Sequence, residues 1–358
     1  MHLMPRVSII ILNWNGWKDT VECLESVYRI AYPNYDVIVV DNGSRDESLK
    51  KVKDYANGQI AVESNFLCYP TEKKSLPYIE YSRTRAETGG GKEDQISGFP
   101  SNRRLILIEN EKNYGFAEGN NIAIRYALKT LNPDYLLLLN NDTVVEENFL
   151  SELIRVASQD EKNGILGSKV YYYNYRGQRD IIHSAGAHIN TKFGLCPPIG
   201  LSEKDRGQYD EVRRVDYVEG ACMLVKRNVI DTIGLLDPIF FAYWEETDWC
   251  CRADKKGYNV IYVPQAKIWH KIPERKVSKL STYLLTRNRF IFMRKNAEVQ
   301  ELYIFLLYFI LFDFWYRLAV ILIYDRNPGT LLSPYVRGVY DGLKVLFDSS
   351  IKPIFPVN

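Results

Sequence analysis

The chain has 358 residues, of which 46% are hydrophobic and 25% are charged, and its formal net charge is +2. This composition is typical of one large or two ordinary globular domains and excludes an intrinsically disordered chain. So small a net charge gives no indication of nucleic-acid binding, and we expect no nucleic-acid partner.

The six cysteines show no Cys-x-x-Cys spacing, and each lies in or beside an apolar segment. That pattern is typical of small core residues in a reducing compartment. No signal peptide opens the sequence, because residues 1–6 lead directly into an apolar run. We therefore expect a cytoplasmic protein.

The first half of the chain alternates apolar runs with segments of helical periodicity. Residues 7–12 and 36–40 are β-branched runs, and residues 20–30 between them repeat apolar positions at helical spacing. This βαβ unit predicts two parallel strands with a right-handed crossover. Further predicted elements are a strand over 105–108, a helix over 122–129 and a strand over 135–139. Together they predict a doubly wound, mostly parallel α/β sheet.

Residues 66–103 interrupt this alternation. They are rich in Gly, Pro, Lys and Ser, with three consecutive glycines at 89–91. Such composition is typical of loops, and the length predicts an inserted, mobile surface loop outside the sheet. It would either close over an acceptor or decorate the surface, and its glycines and charges favour decoration.

The second half contains fewer regular elements. The pattern predicts a strand over 215–225, a loop and helix over 240–256, and a short strand over 260–263 that is followed by 266–270.

The last part of the chain has a different composition. Residues 271–295 carry eight Lys or Arg residues and one acid, and residues 302–324 are almost entirely apolar, interrupted by Asp313 and Arg317. As a helix the apolar stretch would be about 35 Å long, enough to cross a bilayer core of about 30 Å. Two central charges would cost about 2.5–3.5 kcal/mol each, which favours a helix in the interface or one whose charged face packs on the amphipathic segment 336–347.

A basic flank binds anionic lipid and stays cytoplasmic. We therefore expect residues 271–358 to attach the protein to the inner face of the cell membrane. The alternative is an ordinary helical subdomain or a dimer interface, in which case the partner is a second copy of the chain.

Four leucines at 136–139 run directly into Asn140, Asn141 and Asp142. The run is typical of a strand buried on both faces, and open α/β sheets bind ligands at the carboxyl ends of such strands. Asp142, with Asn140 two positions before it, could hold a divalent cation against a diphosphate. Hard oxygen ligands suit Mg²⁺ or Mn²⁺. The alternative is a simple turn.

Polar residues also follow the other predicted strands. Asn13 and Asn15 come after the first strand and Asp41 after the second, so they should converge. A carboxylate there could accept the N3–H of uracil or thymine, although capping is the alternative. Asn113 and Gly115 open a helix after a third strand, and free N–H groups at a helix start would suit a phosphate or ribose.

Three carboxylates, Glu245, Glu246 and Asp248, lie among bulky apolar residues. Semi-buried acids have raised pKa values and can serve as general bases, but acids in a first turn also favour the helix macrodipole. His270 follows a predicted strand, and its residue type alone leaves a metal ligand and an ordinary core histidine equally open.

Taken together, these segments resemble the family 2 inverting glycosyltransferases with the GT-A fold, most closely the rhamnosyltransferase-like branch. The resemblance runs from about residue 6 to about residue 296. Its carriers are, in order, 7–16 (VSIIILNWNG), 39–44 (VVDNGS), 113–121 (NYGFAEGNN), 139–143 (LNNDT), 218–223 (VEGACM), 244–249 (WEETDW) and 269–270 (WH).

The resemblance implies roles for individual residues. Asp41 would contact the nucleobase, and Asn13 and Asn121 would support the nucleotide. Asn140 and Asp142 would correspond to the Asp-x-Asp metal motif, with His270 as the second protein ligand. Glu246 would be the catalytic base. Further candidates for nucleotide or substrate binding in the same segments are Asn15, Asn113, Gly115, Asn141 and Gly220.

Two positions depart from the family pattern. Asn140 stands where the family has Asp, so one charged ligand remains and the metal affinity would be weaker or shared with phosphates. Glu246 stands where the family has an Asp base and is one methylene longer. Asp248 therefore remains an alternative base, with Glu245 as the third candidate.

The resulting hypothesis is an inverting glycosyltransferase that uses Mg²⁺ or Mn²⁺. It would move a sugar from dTDP-rhamnose or a UDP-sugar to a glycan or lipid-linked saccharide. One alternative is a nucleotidyltransferase acting on sugar phosphates, but the expected Gly-rich basic loop after the first strand is missing from the sequence. The other is a non-catalytic nucleotide- or sugar-binding module, against which the crowded carboxylates argue.

This hypothesis also predicts the domain boundaries of the chain. We expect a GT-A catalytic domain over 1–270, with a nucleotide-binding half over 1–145 and an acceptor half over 146–270. A basic and apolar helical region over 271–358 would follow.

Overall fold

The computed structural model describes residues 4–66, 75–272, 278–324 and 328–347. The strands of these residues form one 11-stranded sheet. The strands are β1 (Val7–Asn13), β2 (Tyr35–Asp41), β3 (Tyr78–Ser82), β4 (Leu105–Glu109), β5 (Tyr135–Asn140), β6 (Thr143–Val145), β7 (Asn163–Tyr172), β8 (Ile182–Ser184), β9 (Arg213–Arg214), β10 (Cys222–Lys226) and β11 (Asn259–His270).

Helices cover the sheet and extend beyond it. The α-helices are α1 (Trp17–Val27), α2 (Ser48–Ala56), α3 (Arg83–Glu87), α4 (Gly115–Tyr126), α5 (Phe149–Ala157), α6 (Arg227–Ile233), α7 (Glu245–Lys255), α8 (Lys279–Asn296), α9 (Val299–Tyr308), α10 (Phe314–Tyr324) and α11 (Pro328–Phe347). Shorter turns are the 3₁₀ segments Glu93–Ile96, Ser101–Arg103 and Pro238–Phe240 and the π segments Ala127–Leu131 and Phe309–Asp313.

The strand order is β3-β4-β2-β1-β5-β10-β7-β11-β6, with β8 beside β7 and β9 beside β11. The first five strands are parallel, which confirms the predicted βαβ unit, and β10 is antiparallel to both its neighbours. In the register, Asn13 lies opposite Asp41, and Leu12 lies opposite Asn140. The polar residues after β1, β2 and β5 therefore meet at one edge of the sheet.

The sheet has a hydrophobic core on each face. Successive side chains of a strand point to opposite faces, so Ile9 and Ile11 pack into one core and Ile10 into the other. Each of these three isoleucines is 0% exposed. Burial on both faces explains why β1 and β5 read as continuous apolar runs in the sequence.

The prediction that residues 66–103 lie outside the sheet is wrong. Tyr78–Ser82 is the edge strand β3 and pairs in parallel with β4. Tyr81 is 2% exposed and donates a 2.8 Å hydrogen bond to Glu93, so the segment has its own packed contacts. Residues 67–74 lie outside the described residues, and the mobility of the segment remains a prediction.

The predicted strand 215–225 is shorter than expected. Strand β10 begins only at Cys222, because the preceding residues bond to another part of the chain. The carbonyl of Tyr217 accepts from the N–H of Ala187 at 3.0 Å, and the N–H of Val215 donates to Val260 at 2.9 Å. The two predicted segments 260–263 and 266–270 are instead one strand, β11, with an irregularity in its pairing with β7.

Helix α8 connects the sheet domain to the C-terminal helices. Phe290 and Phe292 of α8 form a cluster with Phe240, Phe305 and Phe309. Helix α11 also approaches α8 closely, because it carries glycine at two contact positions. A Cβ atom on Gly342 would lie 2.4 Å from the Phe290 ring.

Candidate active site

Two cavities open along the edge of the sheet where β1, β2 and β5 end. The outer cavity has a volume of about 400 Å³ and is lined by Asn15, Asp41 and Asn113, among others. The central cavity has a volume of about 620 Å³ and is lined by residues from β5, α7, α8 and β11. The predicted site residues divide between these two cavities.

Asp41 in the outer cavity is held by two hydrogen bonds. Asn13 donates its Nδ2–H to Oδ1 at 2.7 Å, and the backbone N–H of Ser44 donates to Oδ2 at 3.0 Å. Asp41 is 5% exposed. Each carboxylate oxygen has a further lone pair, so Asp41 can still accept a hydrogen bond from a ligand.

Asn15 shapes the same cavity through its backbone. Its φ of 51° lies in the left-handed region, which asparagine tolerates better than most residues. Its side-chain oxygen accepts the N–H of Arg45 at 2.7 Å, and its N–H donates to the Ser44 hydroxyl at 2.9 Å. Asn15 therefore joins the segment after β1 to the segment after β2.

Two of the N–H groups at the start of α4 have partners within the protein, which argues against the predicted phosphate or ribose site there. Asn113 accepts the N–H of Gly115 at 2.8 Å, and the N–H of Ala117 donates to the carbonyl of Phe241 at 3.1 Å. Gly115 permits this approach, since it has a φ of 80° and its Cβ would lie 2.4 Å from the Phe241 oxygen. Asn113 itself lines the outer cavity.

The hydrogen bonds of Asn121 lie within the protein, and its predicted role in supporting the nucleotide would be indirect. It is 1% exposed, donates to the carbonyl of Leu236 at 2.8 Å and accepts the N–H of Leu236 at 3.1 Å. Gly115 and Asn121 are absent from the described lining of both cavities. They fix α4 against the segment that leads into α7.

The predicted metal ligands meet at the ends of β5 and β11. His270 Nε2 lies 3.0 Å from Asp142 Oδ1 and 3.5 Å from the Asn140 amide nitrogen. Asn140 and His270 line the central cavity. Asn141 points elsewhere, since its amide donates to Thr20 Oγ1 at 3.0 Å. Asn141 thus supports the strand end and not the ligand.

Asp142 and His270 favour each other's charged forms. Burial opposes ionisation of Asp142, but the charge and hydrogen bond of His270 outweigh it and lower its pKa. Burial likewise disfavours the His270 cation, but Asp142 raises its pKa above the ordinary value. A divalent cation would replace the proton that this pair shares.

The chemistry of this pair fits a cation that is shared with a substrate. The carboxylate is a suitable ligand for Mn²⁺ or Mg²⁺, and the imidazole favours the transition metal Mn²⁺ over Mg²⁺, which prefers oxygen ligands. Within the described ranges, no group of three His, Cys, Asp or Glu residues could hold a metal ion. His270 Nδ1 is buried without a partner among the described residues. The remaining coordination positions would have to come from phosphate oxygens and water.

Two carboxylates of α7 line the central cavity. Glu245 is 3% exposed, and Oε2 of both Glu245 and Glu246 is buried without a hydrogen-bond partner in the described part of the chain. Burial and the negative charge of Glu219 raise the pKa of Glu246 to about 7. Burial and the charge of Glu246 hold the pKa of Glu245 well above its ordinary value. Glu246 thus has the pKa that a general base needs near neutral pH.

The contacts of Asp248 argue against it as the base. It is 0% exposed and forms ion pairs with Arg252 at 2.9 Å and Lys295 at 3.1 Å. It also accepts a hydrogen bond from Asn296 at 3.0 Å. Asp248 is outside the described lining of the central cavity and instead joins α7 to α8.

Among the residues of the central cavity that the sequence did not predict, His183 and Glu219 form an ion pair. His183 Nδ1 and Glu219 Oε2 lie 3.0 Å apart, and both side chains are less than one-fifth exposed. Although burial opposes it, the charge of His183 lowers the pKa of Glu219. Gly220, a predicted substrate contact, lines the same wall. Glu219 lies in 218–223, one of the segments that resemble the family, but nothing in the sequence linked it to His183, which is 36 positions earlier.

Several known proteins with similar sequences are named as glycosyltransferases. The low-salt glycan biosynthesis hexosyltransferase Agl10 of Haloferax volcanii is 30% identical over 194 residues, which cover 52% of this chain and 59% of that protein. The dTDP-rhamnosyl transferase RfbF of Shigella flexneri is 26% identical over 203 residues, which cover 54% and 64%. The chain therefore spans about three fifths of the length of these curated relatives.

A solved structure with a similar fold is the mannosyltransferase PcManGT of Pyrobaculum calidifontis in complex with GDP-Man and Mn²⁺. It has a TM-score of 0.54 and 14% sequence identity, and the match covers 96% of this chain and 88% of that chain. This similarity shows that the fold is the GT-A fold.

Two family models match the chain. The model described as "Glycosyltransferase like family 2" matches residues 94–291, more than half of the chain, and "Glycosyl transferase family 2" matches residues 8–68. The chain belongs to glycosyltransferase family 2.

Proposed function

We propose that this protein transfers a sugar from a nucleoside diphosphate sugar to a hydroxyl group, with inversion at the anomeric carbon. The observation that carries the proposal is the composition of the central cavity. A carboxylate with a pKa of about 7, Glu246, lines the same 620 Å³ space as His270, which pairs with Asp142. A base and a cation-binding pair are the two parts that a single displacement requires.

In this mechanism Glu246 accepts the proton of the acceptor hydroxyl as its oxygen attacks the anomeric carbon. A single attack from the side opposite the leaving diphosphate inverts the configuration. Asp142 and His270 would hold Mg²⁺ or Mn²⁺, which supplies Lewis-acid stabilisation of the diphosphate charge when bound. Asp41 accepts the N3–H of a pyrimidine base in the outer cavity and so positions the donor.

The donor in this proposal carries uracil or thymine. Similarity to a dTDP-rhamnosyl transferase supports dTDP-rhamnose, and Asp41 is equally compatible with a UDP-sugar. His183 and Glu219 offer an imidazole and a carboxylate to sugar hydroxyls in the central cavity. Hydrogen bonds to charged groups contribute about 1.5–3 kcal/mol, enough to select between epimers that differ in one hydroxyl.

The test is incubation with a panel of nucleotide sugars and Mn²⁺, with release of the nucleoside diphosphate as the readout. We expect release from a dTDP- or UDP-sugar and none from GDP-mannose. Release of pyrophosphate instead of a nucleoside diphosphate would indicate a nucleotidyltransferase. Binding without release of either product would indicate a non-catalytic module. Glu219→Gln should change the preference among sugars that share one base, while the preference among bases stays the same.

We also propose that α9 and α10 lie in the plane of a membrane surface. Within the described ranges, one helix, Val299–Ile323, is long and apolar enough to cross a membrane, and 11% of its most apolar window is buried. The buried positions Phe305, Phe309 and Asp313 form a single stripe that packs on the protein. Asp313 pairs inward with Arg289 at 2.6 Å and with Arg317 at 2.8 Å.

This packing favours an interfacial helix over a spanning one, since Phe305, Phe309 and Asp313 hold the middle of the helix against α8. Large apolar side chains cover the remaining faces. They include Tyr303, Leu307, Ile310, Leu311, Phe312, Trp315, Tyr316 and Ile323, each more than half exposed. An apolar surface of this extent marks a membrane or protein contact. An acceptor linked to a lipid would reach the central cavity from that side, because Phe309 and Arg317 line it.

Vesicle sedimentation tests the membrane proposal. The full chain should bind vesicles that contain phosphatidylglycerol, and Leu307→Asp should weaken binding. Leu201→Asp is the matched control, because Leu201 is 47% exposed in a different part of the surface. Equal binding by both variants would contradict the proposal. Failure to bind vesicles together with a dimer that Leu307→Asp dissociates would assign the face to a second copy of the chain.

A further inference from the structure

The backbone before α7 has an unusual conformation. Phe241, Tyr243 and Trp244 have φ values of 65°, 70° and 78°. The left-handed region is costly for residues with a Cβ, and bulky side chains adopt it rarely. Three such residues within four positions persist only where their surroundings hold them. They come immediately before Glu245 and Glu246, so the left-handed segment determines where α7 begins.

One side chain of α8 holds this segment. The Asn288 amide nitrogen lies 2.8 Å from each of the carbonyl oxygens of Phe240, Ala242 and Tyr243. Asn288 is 0% exposed. Its own side-chain oxygen accepts from Arg287 at 2.8 Å, which fixes the orientation of the amide.

Arg287 extends the same contact. Its guanidinium donates to the carbonyls of Ile239 and Phe240, both at 3.0 Å. Arg287 and Asn288 of α8 therefore provide hydrogen bonds to carbonyl groups in and just before the left-handed segment, which lie outside the α-helices and strands. Trp244 adds a ring contact with Phe292, at 4.9 Å between centroids.

We propose that Asn288 is a positioning residue for the catalytic base: it holds the left-handed segment 241–244 and thereby places Glu246 in the central cavity. This inference rests on the proposed function, because it assigns Glu246 the role of base. It also assigns α8 to the catalytic unit, so the catalytic part of the chain extends beyond the boundary at residue 270 that the sequence predicts.

The test is Asn288→Asp, which keeps the size and shape of the side chain but removes both N–H donors. We expect kcat to fall by about 10- to 100-fold, because small displacements of a catalytic group have effects of this size. The KM for the donor and the affinity for the free nucleoside diphosphate should change less than about threefold, since the outer cavity is untouched. Hydrogen exchange of residues 240–246 should become faster.

Asn163→Asp is the matched control. Asn163 is 8% exposed and donates to the carbonyl of Val156 at 3.1 Å, in a part of the fold that does not contact α7 through this side chain. It should lower the melting temperature and leave kcat within about twofold. If Asn288→Asp does not fold, Asn288→Ser, which keeps one donor, replaces it and should lose less activity than Asn288→Ala.

The possible outcomes separate this inference from the proposed function. Normal kcat in Asn288→Asp, or an equal loss of kcat in Asn163→Asp, would overturn the positioning role. Unchanged hydrogen exchange at 240–246 would overturn it even if the wild type transferred no sugar. If the wild type transfers no sugar but Asn288→Asp still shows faster exchange at 240–246, the structural role of Asn288 is supported and the proposed function is refuted.

Discussion

The outer and central cavities lie on one edge of the sheet but differ in how their carboxylates are satisfied. Both contain a buried polar atom without a partner among the described residues, and in the outer cavity this atom is the amide oxygen Oδ1 of Asn110. In the outer cavity both oxygens of Asp41 accept hydrogen bonds from the protein. In the central cavity Oε2 of Glu245, Oε2 of Glu246 and Nδ1 of His270 are buried without a partner among the described residues. Two of the three left-handed aromatic residues, Tyr243 and Trp244, also line the central cavity.

Buried polar groups are normally hydrogen-bonded, and unsatisfied ones cost stability. In the central cavity they belong to two carboxylates and an imidazole, whereas in the outer cavity the corresponding atom is an amide oxygen. This difference indicates that the central cavity is built for groups whose protonation or ligation changes during a reaction. In the proposed function the outer cavity binds a part of the donor that does not react. Protein donors can therefore fix both oxygens of Asp41 in advance, and each oxygen keeps a lone pair for the ligand. Substitutions in the central cavity should therefore lower kcat, and those in the outer cavity should weaken binding.

The largest effect is expected for Glu246→Gln. This change removes the proton acceptor and keeps the shape, so kcat should fall by about two to four orders of magnitude. Binding of the nucleoside diphosphate, measured by calorimetry, should be unchanged. Asp248→Asn is the comparison within α7: it should lower the melting temperature and leave kcat within about threefold. The reverse pattern in the two variants would make Asp248 the base.

A smaller loss is expected for His270→Ala. A bound cation stabilises the transition state by several kcal/mol, so weakening its site should lower kcat by about 100-fold. Titration with Mn²⁺ in the presence of UDP, followed by electron paramagnetic resonance, should show weaker binding. His188→Ala is the control, because His188 has a 68% exposed side chain outside both cavities. Unchanged Mn²⁺ binding in His270→Ala would place the cation elsewhere.

The next largest effect concerns pH, which should change kcat through the central cavity but leave nucleotide binding in the outer cavity unchanged. The base must be deprotonated, and the pKa of Glu246 is about 7, so kcat should fall by roughly tenfold per pH unit below that value. Above it, kcat should reach a plateau. Nucleotide binding should not follow this profile. An acid limb that persists unchanged in Glu246→Gln would exclude Glu246 as its source.

Much of the sheet could be predicted because its strands are locally distinct. The runs at 7–12, 36–40 and 135–139 are apolar on both faces, and short polar residues mark their ends. Strand β3 was missed because it is a five-residue edge strand in a segment rich in Gly, Lys and Ser. Its pairing with β4 depends on residues more than twenty positions away.

The candidate site was predictable only in part, because some of its contacts also join residues that are distant in the sequence. Asp41, Asp142 and Glu246 stand in short segments that a family resemblance identifies. The contact between His183 and Glu219 and that between Asn288 and Tyr243 join residues 36 and 45 positions apart. No local pattern predicts left-handed backbone at three aromatic residues, because their intrinsic preference is against it. Only tertiary contacts reverse that preference.

The smallest and most direct comparison makes the same change, carboxylate to amide, once in each cavity. Asp41→Asn replaces an oxygen that accepts a backbone N–H and should destabilise the protein by about 1–3 kcal/mol. Glu245→Gln removes a buried carboxylate with an unpaired oxygen and should stabilise the protein.

The pKa of Glu245 in the folded protein is well above its ordinary value of 4.5, so the native state binds a proton more tightly than the unfolded state. Wild-type stability is therefore highest below the unfolded pKa and declines as pH rises through the folded pKa. The gain from Glu245→Gln should accordingly be largest near pH 8 and vanish near pH 4, as measured by urea unfolding. If both Asp41→Asn and Glu245→Gln lower the stability at pH 8, the carboxylates of the two cavities do not differ in how well the protein satisfies them.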